Sequence, residues 1–152
     1  MKKLIANLKE RSASSGFTLI ELVIVLTMIA IILTFAVSGY SNYSIRAKIN
    51  KGLYFVTEVK SAAVSVCKEE PTNAFLSNQR IDYIFRASEY AQNIVLSGTC
   101  IAPTITMTTR ATGAEPDPVL TFTGIFSEDA DQIEWNCVSS GLDIHTPKSC
   151  RN

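Results

Sequence analysis

Residues 17–37 read FTLIELVIVLTMIAIILTFAV, apolar at all but four positions. As an α-helix this run would span about 31 Å, at about 1.5 Å rise per residue. That length matches a bilayer's hydrocarbon core of roughly 30 Å. Beyond it the apolar positions become one-sided. Ile45, Ile49, Leu53, Val56, Ala63 and Cys67 recur at spacings of three, four and seven, while Lys48, Lys51, Glu58, Lys60 and Lys68 fall mostly on other faces. This predicts an amphipathic continuation of the helix over 38–70. Glu69-Glu70-Pro71 predicts its end, because the residue before proline is pushed out of helical geometry. Ser38-Gly39 predicts a bend or local loosening near 38–42, since glycine weakens a helix by about 1 kcal/mol relative to alanine.

After Pro71 the period changes. Residues 72–90 read as a connector, with a short helix expected over 82–88 and Ile81, Tyr83, Ile84 and Phe85 partly buried in it. Four strands are predicted to follow. The first is Gln92-Asn93-Ile94-Val95-Leu96, closed by the turn signal Ser97-Gly98-Thr99. In the second, Ile101, Ile105 and Met107 alternate with Thr104, Thr106 and Thr108. In the third, Leu120 and Phe122 alternate with Thr121 and Thr123, and in the fourth Ile133, Trp135 and Cys137 alternate with Glu134 and Asn136. Period-two alternation predicts a sheet with one buried and one wet face. The amphipathic helix is its natural cover, so the expected class is α+β, with a four-stranded antiparallel sheet. An exposed loop is expected at 113–118. The acidic run Ser127-Glu128-Asp129-Ala130-Asp131 lacks EF-hand spacing and reads as a solvated turn.

The 152 residues carry 14 basic and 14 acidic side chains, and the balance is uneven. Lys2, Lys3, Lys9 and Arg11 face only Glu10 in residues 1–16, leaving ten basic against thirteen acidic residues in the rest. The basic leader should stay cytoplasmic, which places everything after the apolar run across the membrane. An acidic body argues against nucleic acid as the main partner, because phosphate binding needs a basic face. Cys67, Cys100, Cys137 and Cys150 form no CxxC pair. An exported chain with an even, widely spaced set fits two disulfides, and three pairings are open.

Glu21 is the anomaly. A carboxylate at mid-bilayer costs about 2.5–3.5 kcal/mol, less near an interface. A secretory signal ends after about 7–15 apolar residues at a small-x-small site. Ala36-Val37-Ser38 offers such a site, but the run is too long and contains the glutamate. A plain anchor explains the length and leaves Glu21 unexplained. Cleavage between Gly16 and Phe17 would create an amine four residues before Glu21, the spacing at which helical charges meet. Glu21 would also face the positive end of the helix dipole.

Gly16-Phe17-Thr18-Leu19-Ile20-Glu21-Leu22-Val23-Ile24-Val25 resembles the prepilin signature of the type IV pilin family, in its class A form. The resemblance implies a pilin fold: a long N-terminal helix whose second half packs on the four-stranded sheet. It implies a cleaved leader (1–16), a transmembrane and filament-core helix (17–37), the amphipathic continuation (38–70) and a periplasmic or surface head (71–152). A prepilin peptidase would cut after Gly16 and methylate Phe17. Glu21 would serve assembly by pairing with the Phe17 amine of a neighbouring copy. The implied partners are other copies of the chain, the peptidase, the inner-membrane assembly platform and the membrane itself, with a host surface or DNA as candidates for the finished filament. The location would be the inner membrane first and the cell surface afterwards. The segment from Trp135-Asn136-Cys137 to Cys150 also resembles class A pilins, where two cysteines close a C-terminal loop. By that resemblance Cys137 pairs with Cys150, leaving Cys67 to Cys100. Prolines common in the family at the positions of Ser38 and Glu58 are missing here, which implies a straighter helix over 43–67.

Three other functions compete. A type II secretion pseudopilin shares the N-terminus, but such subunits often lack the C-terminal disulfide loop. A minor pilin that binds DNA or an adhesion target would need Arg80, Arg86, Arg110, Lys148 and Arg151 to gather into a basic strip. An anchored solute-binding or enzymatic domain is disfavoured by the Gly16 motif. His145 reads as solvated in a polar loop, and no P-loop, GxGxxG or HExxH occurs. No enzyme activity, metal or cofactor is expected.

Overall fold

The computed structural model describes residues 16–69, 74–127 and 132–151. The order is one helix, four strands and a short 3-10 turn: α1 (Leu19–Glu69), β1 (Ala91–Gly98), β2 (Pro103–Thr109), β3 (Val119–Ser127), β4 (Gln132–Ser139) and the turn Lys148–Cys150. The chain divides into two compact units, Met1–Ser38 and Gly39–Asn152. Helical structure runs without interruption through 38–42. The loosening expected there is therefore not found, and the Ser38 hydroxyl is satisfied within the helix, donating to Phe35 O at 3.2 Å. The helix is described to Glu69, and Glu70 and Pro71 lie outside the described residues.

In the second unit α1 buries Ile45, Ile49, Gly52, Val56, Val59, Ala63 and Cys67. These positions step by three and four, which keeps them on one stripe of a 3.6-residue helix. Gly52 and Val59 belong to that stripe although they were not expected in it, and Leu53 only flanks it. At Gly52 an added Cβ would lie 3.3 Å from Met107 Sδ and 3.6 Å from the Ala91 Cβ, so the missing side chain lets the helix approach the sheet closely.

The sheet is an antiparallel meander in the order β1-β2-β3-β4. Its inner face carries Ile94 and Leu96, Ile105 and Met107, Leu120 and Phe122, and Ile133 and Cys137, which form one core with the helix stripe. A register shift between Ala91 and Asn93 turns both Ala91 and Ile94 inward. Such a bulge adds one residue to a strand and breaks strict alternation. Ile101 is not part of β2: it is 62 % exposed in the turn before Pro103.

The expected helix over 82–88 is not formed. Residues 78–82 make a turn, Asp82 adopts φ 50°, and 83–88 have no regular structure. A left-handed residue stops helix propagation. Ile84 is exposed, while Ile81, Tyr83 and Phe85 pack on the core. The connector instead covers the free edge of β1. Leu76 N donates to Gly98 O at 2.8 Å, and Phe75 bridges Thr99. The Asn78 amide donates to Ile94 O at 2.7 Å and accepts from Leu96 N at 2.6 Å. One side chain thereby imitates a strand residue where an open edge would invite pairing with other chains.

The loop at 113–118 is less exposed than expected. Thr112, Ala114 and Pro118 are buried. The Asp117 carboxylate accepts from Ala111 N at 2.8 Å, from Thr112 N at 3.0 Å and from the Thr112 hydroxyl. Ala111 and Gly113 have positive φ, and the Glu115-Pro116 peptide is cis.

Candidate functional site

Every large apolar side chain from Phe17 to Val37 is at least 43 % exposed. Among the described residues the most apolar window of the helix has no part buried. An uncovered apolar surface of this extent marks a membrane or protein contact. Its polar side chains are quiet. Thr27 donates to Ile24 O at 2.8 Å and Thr34 to Ile31 O at 2.7 Å. Each hydroxyl is satisfied within its own turn, so it adds little polarity to the helix exterior.

Glu21 sits in the first turn. Thr18 precedes the helix as its N-cap: Glu21 N donates to Thr18 Oγ1 at 3.3 Å, and Thr18 Oγ1 lies 3.4 Å from Glu21 Oε2. Thr18-Leu19-Ile20-Glu21 has the T-x-x-E spacing of a capping box, and here the Glu21 carboxylate accepts from the Thr18 hydroxyl. Thr18 was not singled out in the sequence, although that spacing is the signal for it. The carboxylate is thus fixed beside the positive end of the helix. Gly16 and Phe17 lie ahead of the cap without regular structure, and both are exposed. The peptide bond between them is accessible, and the Gly16 Cα has open space around it.

The four cysteines form two disulfides in the head, all four residues being buried. Cys67–Cys100 joins the end of α1 to the turn between β1 and β2, with Cα atoms 5.4 Å apart. Cys137–Cys150 joins β4 to the C-terminal 3-10 turn, with Cα atoms 4.5 Å apart. The loop between them is fastened further. Thr146 is buried, with its hydroxyl 3.1 Å from Ser139 Oγ and 3.0 Å from Leu142 O. His145 is not fully solvated: its Nε2 lies 3.1 Å from Asn42 Oδ1, across 103 residues of sequence.

Lys60 is held between helix and sheet, its Nζ 4.2 Å from the Phe122 ring centroid and 5.3 Å from that of Trp135. Burial lowers its pKa from the ordinary 10.5. Of the five basic residues considered as a strip, Lys148 and Arg151 share one cleft, with Arg46. Arg110 Nε is bound to Ser88 O at 2.7 Å. Among the described residues, no group of three or more His, Cys, Asp or Glu could hold a metal ion.

Residues 11–37 match the family described as the prokaryotic N-terminal methylation motif. The chain is similar to the fimbrial protein EcpC of Eikenella corrodens, 24 % identical over 147 residues that cover 93 % of this chain and 94 % of that protein. It is also similar to two fimbrial proteins of Pseudomonas aeruginosa, each 39 % identical over 57 residues, or 38 % of this chain and 37 % of theirs. These findings support a type IV pilin. The chain joins a matched N-terminal signature to the architecture described above, one long apolar helix followed by a four-stranded antiparallel sheet. The capped glutamate and the uncovered apolar surface both fall inside the matched motif.

Proposed function

We propose that this chain is a type IV pilin, the structural subunit of a surface filament, made as a membrane-anchored precursor and polymerised through residues 17–37. A prepilin peptidase removes residues 1–16 between Gly16 and Phe17 and methylates the new amine. Residues 17–37 rest in the inner membrane and then form the filament core. Residues 38–70 continue the helix, and residues 71–152 complete the surface head. The observation that carries this reading is the capped Glu21, a single carboxylate on an otherwise uncovered apolar helix inside the matched motif. In the bilayer that charge is costly. A neighbour's Phe17 amine offers the counter-charge, so leaving the membrane for the filament lowers the free energy and sets the axial register. The Cys137–Cys150 loop supports a pilus subunit over a secretion pseudopilin. Adhesion, twitching motility and DNA uptake are the roles such a filament would serve.

Shearing of cells followed by mass analysis of the released protein tests this. The expected result is abundant mature chain beginning at methylated Phe17. Mature chain retained in the membrane fraction, with none in the sheared material, would favour the pseudopilin. A mature chain that begins after residue 37 would end the polymer reading.

A further inference from the structure

A cleft of about 590 Å³ in the head is lined by Tyr43, Arg46 and Asn50 of α1 and by Lys148, Ser149 and Arg151 of the C-terminal turn. Of the eight lining residues three are cations and none is acidic. Among the described residues none of the three has a carboxylate partner, and Arg151 Nε is occupied only by Thr146 O at 3.2 Å. The surrounding sequence is equally one-sided. No Asp or Glu occurs between Glu21 and Glu58, while Arg46, Lys48 and Lys51 all do. Arg46 follows Val37, the last residue of the apolar run, by nine positions. Tyr40 and Tyr43, both largely exposed, stand between them. Tyrosine is enriched at membrane–water interfaces because its ring is apolar and its hydroxyl polar. Lys and Arg held near a membrane surface are attracted to anionic headgroups.

We propose that this cleft seats the phosphate of an anionic phospholipid, such as phosphatidylglycerol, in the outer leaflet of the inner membrane while the subunit awaits assembly. Arg46, Lys148 and Arg151 hold the phosphate, Asn50 and Ser149 supply neutral donors, and Tyr43 packs on the glycerol. The lipid ties the C-terminal turn to the base of the head before assembly, and it is given up when the helix leaves the bilayer. A nucleic acid is the weaker fit. A long polyanion must lie along an extended basic face, and the chain outside residues 1–16 has an excess of acid. A headgroup needs only the local cluster.

The inference rests on the membrane-anchored reading, and the test separates the two. Full-length chain is reconstituted in vesicles of phosphatidylcholine, with or without phosphatidylglycerol whose headgroup carries a photo-crosslinker. Flotation reports insertion, and mass analysis locates the crosslinks. The expected result is crosslinking to residues 43–50 and 147–151, falling about fivefold for each cation removed in Arg46→Gln and Arg151→Gln, and falling again in high salt. Apart from the basic leader, which flanks the other end of the span and meets headgroups of the opposite leaflet, lysine and arginine elsewhere stay unlabelled. Unchanged labelling in the double variant, with insertion and both disulfides intact, overturns the lipid site. So does displacement of the lipid by inorganic phosphate or by duplex DNA at matched phosphate concentration, or replacement of lipid crosslinks by crosslinks to a second copy. Failure to float with either vesicle overturns the membrane reading, and this inference with it.

Discussion

Glu21 has two duties that one substitution confounds. Its carboxylate accepts from the hydroxyl of the cap residue Thr18, and in the proposed filament it pairs with an amine. Glutamine also serves as the third residue of a capping box, so Glu21→Gln keeps the local geometry and removes the charge. Both Glu21→Val and Glu21→Gln are expected to insert normally, as read by extraction of membranes, and to lose most of the sheared filament. Full yield from Glu21→Gln would leave capping as the whole role. Lys60 is the other informative residue. With its amine held below 10.5, the unfolded chain binds more protons than the folded one from the folded pKa up to 10.5, so stability rises with pH in that window. Tyr83 opposes it. Burial, and then the charge of Glu58, raise the Tyr83 phenol above 10.0, so stability falls with pH once the unfolded phenol ionises. Lys60→Met removes only the first effect. Denaturant melts at paired pH values should show wild type gaining on Lys60→Met as pH approaches 10.5. A constant difference would mean that the amine is solvated.

At the scale of the element, two glycines set how closely structures approach. At Gly52 the obstacle to a Cβ is the Met107 thioether, 3.3 Å away. That side chain is flexible, and alanine is better than glycine in a helix by about 1 kcal/mol. Gly52→Ala should therefore change stability little. At Gly124 in β3 a Cβ would meet Ile133 Cγ2 at 2.5 Å and Pro103 Cγ at 2.8 Å. A β-branched side chain and a ring on neighbouring strands give way less readily, so Gly124→Ala should cost about 1–3 kcal/mol. Thermal melts of the two variants in one detergent check the order. The elements themselves were unequally legible. Strands β2, β3 and β4 announce themselves by alternation, since each has one wet face, whereas β1, whose bulge breaks the alternation, is marked by its apolar run and turn signal. The connector has no such mark. Ile81, Tyr83 and Phe85 are apolar because they pack on the core, not because they lie on a helix, and Ile84 between them is exposed. Apolar content alone cannot separate those cases.

Over the whole molecule the disulfides divide the labour by loop length. The Cys67–Cys100 crosslink spans 33 residues and the Cys137–Cys150 crosslink 13. In the chain-entropy account the longer loop contributes about 4 kcal/mol and the shorter about 3 kcal/mol. Paired Cys→Ser variants should therefore lose more stability at 67 and 100 than at 137 and 150, read as denaturation midpoints under identical conditions. The shorter loop has other ties, including Thr146 and His145, and so should keep more of its structure when reduced. The reverse order would show that the C-terminal turn depends on its disulfide alone.

The apolar run, the lone carboxylate in it, the stripe on the helix and the alternation of the strands were all settled by the sequence. Each is a local property: a period, a length or a charge in oil is visible within a few neighbouring residues. The tertiary structure alone decided the rest. It put Asn78 on the edge of β1, His145 against Asn42, and Arg46 into one cleft with Lys148 and Arg151. It also buried Thr112 and Ala114 in a loop that composition marks as exposed. These placements join residues far apart in the chain, and they depend on how helix and sheet pack. No pattern among near neighbours encodes that distance.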